Sequence, residues 1–345
     1  MFVHLHRPWL IVTALSCVVF SALAQEPPPM TALPFTAPTP ADNPTTPAKI
    51  ALGRQLFFDP ILSATNTVAC ATCHHPDHGW ADGHATPLGI NGAAIPRNSP
   101  TILNVAFNGM TAAAPPDPTR APMFWDSRAE SLEQQVFAPI RSKEEMRGEV
   151  CPESDAVALA IARVRAVESY RELFAKAFAS SAQLAVTETH LVQAIAAFER
   201  SLITPNTAFD RFMRGDKSAL TGEQQRGMKV FHEAGCNQCH GGPMLSDYKL
   251  HFIGVQGERR AMRTPSLRNL RHTAPFMHNG SQRTLDDVLK FYELLMDEVS
   301  ETLDGGDKSA HPPLDPLLQK LNLNAEDFPA LSAFLESLSA DNYER

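Results

Sequence analysis

Apolar residues beyond residue 50 recur mainly every three to four positions, and strict alternation of apolar and polar residues is scarce. This spacing lines one face of a helix with apolar side chains, so a mostly α-helical chain is predicted. Thr221 with Gln224 and Thr284 with Asp287 have the spacing of helix-start capping pairs. Amphipathic helices are predicted over residues 154–165, 187–203, 221–232, 284–296 and 324–338.

The predicted helices fall into two groups that meet near residue 205. The tract from Gly79 to Pro122 is rich in Gly, Pro, Ala and Asn and is predicted to be a long ordered loop region. With 345 residues, 43% of them hydrophobic, the chain can bury two cores. Domains are therefore predicted over residues 50–205 and 206–345.

The first 24 residues have the layout of a secretory signal peptide, with a basic start, an apolar run and Ala22-Leu23-Ala24 before Gln25. The apolar run holds 16 residues, fewer than the roughly 20 that span a bilayer. Cleavage leaves 345 − 24 = 321 residues and no membrane span. A periplasmic protein is predicted, with a retained membrane anchor as the alternative.

Residues 25–49 form a proline-rich lead-in that is predicted to run extended, without a helix or a central strand. The formal charge of −8 and the scattered lysines and arginines exclude a basic face for nucleic acid. Neither DNA nor RNA is expected as a partner.

Two copies of C-x-x-C-H carry the candidate chemistry, at residues 70–74 and 236–240. Two thiols one helical turn apart can attach to the two vinyl groups of one porphyrin, and the following histidine can then ligate the iron. Two covalent haems c are predicted, held by Cys70, Cys73 and His74 and by Cys236, Cys239 and His240. A zinc ribbon or a pair of disulfides is the alternative, and Cys151 is interpreted as an inert thiol.

With these motifs the chain resembles the bacterial di-haem cytochrome c peroxidase and MauG family over nearly its whole length after the signal. The family fold consists of two cytochrome c-like domains, each with one haem. The further stretches that carry the resemblance are LGRQLFFDPILS (52–63), PRNSPTILN (96–104), FWDSRAESLEQQ (124–135), EEMRG (144–148), RTPSLRNL (263–270) and TAPFMHNGS (273–281).

The resemblance implies roles for several residues around the first haem. Trp125, followed by Asp126, matches a tryptophan that relays electrons between the two irons. Glu145 matches the acid over the open face of the first haem, with Glu144 as the alternative one residue away. Gln135 and Pro139 match positions that line the same pocket.

The family also holds one Ca²⁺ between its haem domains. Its side-chain ligand matches Asn98, and its two carbonyl ligands match Thr273 and Pro275. Oxygen ligands of this kind suit calcium.

In conventional family members a histidine eight residues before the matching asparagine closes the first iron, and here that position is Ile90. The resemblance therefore favours a first iron with a vacant sixth position. Closure by His75, His78 or His84 remains the alternative.

The sixth ligand of the second iron follows from the Phe276–Gly280 motif. Conventional members place a methionine fourteen residues after the motif histidine, and MauG uses a tyrosine on that helix. Here 278 + 14 = 292, and residue 292 is a tyrosine. On this count Tyr292 is favoured as the ligand over Met277, His278 or no sixth ligand. A phenolate stabilises ferric iron, whereas a thioether favours ferrous iron, so a tyrosine ligand favours a MauG-like enzyme.

The resemblance thus implies a MauG-like enzyme that reduces hydrogen peroxide at the first haem and draws electrons from a protein donor through the second. A conventional di-haem cytochrome c peroxidase with a small cytochrome as reductant is the first alternative. A non-enzymatic di-haem electron carrier is the second.

Overall fold

The computed structural model describes residues 28–111, 115–257, 259–303 and 313–344, with side chains of the long helix near residue 300 described as far as residue 296. The predicted signal peptide lies outside these residues. The two short strands, β1 (Leu250–His251) and β2 (Met262–Arg263), pair antiparallel. The helices are α1 Pro47–Phe58, α2 Cys70–Cys73, α3 Leu132–Gln135, α4 Phe137–Arg141, α5 Ala156–Ala166, α6 Glu168–Phe178, α7 Glu188–Ser201, α8 Ala208–Met213, α9 Gly222–Glu233, α10 Leu285–Leu303 and α11 Phe328–Ser337.

The mostly helical prediction is confirmed. All five predicted amphipathic helices are present, as α5, α7, α9, α10 and α11, with ends that differ by a few residues. Thr221 with Gln224 and Thr284 with Asp287 exchange the expected capping hydrogen bonds. The loop between Gly79 and Pro122 contains only short 3-10 turns in its described residues, as predicted.

The prediction that residues 25–49 contain no helix is wrong at its end, because α1 begins at Pro47. Thr46 caps α1 by accepting a hydrogen bond from the amide of Lys49. Proline fits the first turn of a helix, since the N–H that it lacks has no partner there in any case.

Each half of the chain is built on a close crossing of two helices. In the first half, Gly53 of α1 lies directly against the Ala194 carbonyl of α7. In the second half, Gly227 of α9 lies directly against the Ala330 carbonyl of α11. A Cβ atom at either glycine would overlap that carbonyl, so glycine permits both crossings.

The two largest hydrophobic cores surround these crossings. The first extends from Leu52 to Leu202, and the second from Phe209 to Leu338. They lie on either side of residue 205, where the sequence places the domain boundary. No helix among the described residues is long and apolar enough to cross a membrane.

Candidate haem sites

The first C-x-x-C-H motif borders a cavity of about 480 Å³. Helix α2 is a single turn that brings Cys70 and Cys73 to the cavity wall. Burial raises the pKa of the Cys70 thiol well above its usual range and that of Cys73 to about 12. Both thiols are free, as attachment to a haem requires.

His74 is oriented for ligation at the same cavity. Its Nδ1 lies 3.2 Å from the carbonyl oxygen of Trp80. Burial lowers the pKa of His74, so the ring is neutral and Nδ1–H is its donor. The lone pair on Nε2 is then available to an iron, and the carbonyl fixes the ring, as is usual for metal-bound histidines.

The second motif repeats this arrangement around a cavity of about 250 Å³ bordered by Cys236, Cys239 and His240. His240 Nδ1 lies 3.0 Å from the Leu245 carbonyl, and burial lowers the pKa of this histidine too. Trp80 and Leu245, which supply the two acceptors, both have left-handed backbone with φ of 60° and 49°. Each site thus offers two thiols and one oriented neutral imidazole, and these groups fit a covalently bound haem c.

Trp125 lies between the two sites and borders both cavities. Its Nε1–H donates to the Asn98 carbonyl at 2.9 Å, and its ring centroid lies 6.3 Å from that of His278 in an edge-on arrangement. The neighbouring Asp126 is paired with Arg97 at 2.8 Å and Arg128 at 2.9 Å. The indole is therefore held in one orientation where both cavities meet.

Glu144 and Glu145, the two candidate acids, both border the first cavity. Glu145 is half-buried, and burial raises its pKa, whereas Glu144 is exposed. Gly89 packs directly against the Glu144 carbonyl and holds this turn in place. Gln135 and Pro139 border the same cavity, so the structure brings together all the side chains predicted there.

The three candidate sixth ligands, Met277, His278 and Tyr292, all border the second cavity. Tyr292 projects from α10, and burial, together with the nearby Cys239 and Cys236 sulfurs, raises the pKa of its phenol. Its hydroxyl group is therefore neutral in the absence of a cation. Met277 has left-handed backbone with φ of 69°, and the His278 side chain is only 7% exposed.

The predicted calcium ligands Asn98, Thr273 and Pro275 also border the second cavity. The side-chain Nδ2 of Asn98 donates to the His84 carbonyl at 2.8 Å. The side-chain Oδ1 is therefore the atom of this amide that can bind a cation. His75, His78 and His84 border neither cavity, and Ile90 is buried in the first core.

Two residues that border these cavities, Glu199 and His251, were not predicted from the sequence. Glu199 of α7 borders the first cavity, is 4% exposed and has an Oε2 atom without a hydrogen-bond partner in the described structure. His251 borders the second cavity between Asp315, 2.6 Å from its Nδ1, and Asp247, 3.0 Å from its Nε2. The only sequence signal for Glu199 was an acidic residue on the apolar face of a predicted helix. No local sequence pattern indicates that His251 pairs with Asp315.

Comparison with known proteins identifies this arrangement. The family model described as "Di-haem cytochrome c peroxidase" matches residues 47–218. Over 325 residues the chain is 35% identical to the methylamine utilization protein MauG of Methylorubrum extorquens, covering 89% of this chain and 83% of that protein. The chain belongs to the di-haem cytochrome c peroxidase and MauG family. It is accordingly a haem oxidoreductase with two haem c cofactors.

Other members of this family are similar over almost the whole chain. The cytochrome-c peroxidase IdrP1 of Denitromonas iodatirespirans is 32% identical over 379 residues, covering 95% of this chain and 92% of that protein. The crystal structure of a MauG-like protein associated with microbial copper homeostasis superposes with a TM-score of 0.70 at 27% identity, covering 90% of this chain and 95% of that one. The relatives thus include both peroxidases and MauG-like proteins.

Proposed function

We propose that this protein is a periplasmic, MauG-like di-haem peroxidase that reduces hydrogen peroxide at the first site and receives electrons from a protein donor through the second. The observation that carries the proposal is the contrast between the cavities, since the half-buried Glu145 carboxyl group borders the first and the half-buried Tyr292 phenol borders the second. Haem in the two sites supplies the redox-active irons.

Glu145 is proposed as the acid–base group of peroxide reduction. The overall reaction takes two electrons and two protons and converts hydrogen peroxide into two water molecules. A carboxylate at this cavity can accept the proton of one peroxide oxygen and return it to the other, which then leaves as water. Because burial raises the pKa of Glu145, its carboxyl group is closer to the pH range in which it can both accept and donate a proton. The amide of Gln135 would help to orient the peroxide.

Trp125 is proposed as the electron relay between the sites. It borders both cavities and is fixed by its hydrogen bond to Asn98. A bound Ca²⁺ held by the Asn98 side chain and by the Thr273 and Pro275 carbonyls would add rigidity at this junction.

Tyr292 is proposed as the sixth ligand of the second iron. Ligation replaces the phenolic proton with a cation, and the resulting phenolate favours ferric iron. The second site would then share oxidising equivalents with the first and would not store a donor's electron. The second candidate function, a conventional cytochrome c peroxidase, is favoured by the presence of Met277 at the same cavity.

Steady-state peroxide consumption tests the proposal. The fully oxidised protein should turn over peroxide at once when a reduced small c-type cytochrome is added. The proposed first iron has a vacant sixth position, so no ligand has to leave before peroxide binds. A requirement for half-reduction before turnover would favour the conventional peroxidase, and no turnover from either state would favour an electron carrier. Trp125→Phe should slow electron transfer between the haems. Phe107→Leu, at a buried position that borders neither cavity, serves as the packing control.

A further inference from the structure

The turn at Gly79 and Trp80 supplies the hydrogen-bond acceptor for His74. Trp80 is fully buried, and its carbonyl accepts hydrogen bonds from His74 Nδ1 and from the amide of Ile102, both at 3.2 Å. Both turn residues have left-handed backbone, with φ of 63° for Gly79 and 60° for Trp80. This conformation is unfavourable for a bulky residue such as tryptophan, so the turn depends on contacts from its surroundings.

Those contacts come from the other end of the chain, from the segment Ala340–Glu344. The carbonyl of Glu344 accepts a hydrogen bond from Trp80 Nε1 at 2.8 Å, and the hydroxyl of Tyr343 accepts one from the Gly79 amide at 3.2 Å. Without this segment the buried indole N–H would lose its acceptor, and buried donors are nearly always paired.

The same segment is anchored to the second half of the chain near His272. The ring of Tyr343 lies 5.0 Å from the ring of His272, whose Nε2 donates to the Ala340 carbonyl at 2.8 Å. His272 also packs on Gly79, where a Cβ atom would lie 2.7 Å from the His272 Cβ. The turn that orients His74 is thus held between the Ala340–Glu344 segment and the residues that lead into the second cavity.

Both acceptor turns are closed by a local hydrogen bond of 2.9 Å, from the Trp80 amide to the His75 carbonyl at the first site and from the Ser246 amide to the Gly241 carbonyl at the second. The second turn is also held by the Ser266 hydroxyl, which donates to the Met244 carbonyl at 2.7 Å. Each turn thus has support from a distant part of the chain, and residues 340–344 supply it at the first site.

We propose that the Ala340–Glu344 segment is a positioning element for the axial ligand of the first haem, acting on His74 through the Gly79–Trp80 turn. This inference rests on the proposed role of His74 as that ligand. A strong Nδ1–H to carbonyl hydrogen bond makes the imidazole a better donor to iron, so a loosened turn should weaken the iron–histidine bond.

Resonance Raman spectroscopy of the reduced holoprotein tests this inference, because the iron–histidine stretching band is seen in five-coordinate ferrous haem. Deletion of residues 342–345 should move the first-haem band to lower frequency and raise the first-haem reduction potential. Tyr343→Phe, a milder change that removes the acceptor for the Gly79 amide, should move the band in the same direction by less. The low-spin electron paramagnetic resonance signal of the second haem should stay as it is in both variants.

Asp341→Asn is the matched control, because it breaks only the exposed ion pair with Arg271 at 3.1 Å and should leave the band in place. An unshifted band in the deletion variant would overturn the inference while leaving the proposed function intact. If the deletion variant fails to fold, an unshifted band in Tyr343→Phe decides against the inference in the same way. A wild-type protein without any first-haem histidine band would instead overturn the ligand role of His74, and the inference with it.

Discussion

The two haem sites share one attachment motif and differ in what surrounds it. Both bring two free thiols and a carbonyl-oriented histidine to a cavity wall. The first cavity, at about 480 Å³, is the larger and is bordered by Glu144, Glu145 and Glu199. The second, at about 250 Å³, is bordered by Tyr292, Met277 and His278. The motif thus determines where a haem is attached, and the opposite wall of the cavity determines what its iron can do.

The titratable groups beside the two cavities also differ. At the first, the pKa values of Glu145 and Glu199 are raised by burial, so these carboxyl groups are poised to hold protons. At the second, His251 lies between Asp247 and Asp315, and its hydrogen bonds raise its pKa. Arg260 and Arg263 border the same cavity, so groups of both signs surround it.

The largest expected effect comes from removing the acid of the first cavity. Glu145→Gln should lower the rate of peroxide reduction by about 10²- to 10⁴-fold, the usual contribution of a general acid–base group. Stopped-flow mixing of the oxidised protein with peroxide measures this rate. Glu144→Gln is the control and should stay near the wild-type rate, so a larger loss in that variant would assign the role to Glu144.

A smaller effect is expected from the charged cluster at the second cavity. Hydrogen bonds to Asp247, the Cys239 sulfur and Asp315 raise the pKa of His251 to about 11. The resulting stabilisation is complete below the ordinary histidine pKa of about 6.5 and is lost as pH rises towards 11. Asp315→Asn should therefore lower the free energy of unfolding by about 2 kcal/mol at neutral pH.

Urea denaturation at several pH values measures this difference, which should shrink between neutral pH and about pH 11. Asp216→Asn, at an exposed position, is the matched control. A difference between wild type and Asp315→Asn that does not depend on pH would mean that His251 is neutral in the folded protein.

A further pH-dependent effect is expected at Glu199. Burial raises its pKa to about 8. An acid whose pKa is higher in the folded than in the unfolded state stabilises the protein below about pH 4.5, and this contribution is lost as pH rises through 8. Relative to Glu199→Gln, the wild type should become less stable between these pH values, as thermal unfolding would show. A constant difference would contradict the raised pKa, and Glu188→Gln on the exposed start of α7 is the control.

Most of the long helices could be predicted from the sequence because their signals are local. Helix periodicity located α5, α7, α9, α10 and α11, and the C-x-x-C-H spacing located both cavities. Helices α1 and α6 were missed, and the start of α1 was predicted to be extended because proline at a first helical turn was counted against a helix.

The residues that could not be predicted depend on contacts between distant parts of the chain. Asp315 reaches His251 across 64 positions, and Glu344 reaches Trp80 across 264. Glu199 was interpreted as part of an amphipathic helix, and only its burial against the first cavity distinguishes it from a surface acid. Hydrophobic periodicity along the chain carries no information about contacts between such distant residues.

The most direct test of the contrast between the sites is electron paramagnetic resonance of the ferric holoprotein, compared with Tyr292→Phe. Phe291→Leu is the packing control, because Phe291 contacts Tyr292 edge-on with ring centroids 5.4 Å apart and does not border the cavity. We predict one high-spin and one low-spin signal in the wild type, with only the low-spin signal changed in Tyr292→Phe and neither changed in Phe291→Leu. A low-spin signal that is the same in wild type and Tyr292→Phe would contradict tyrosine ligation of the second iron.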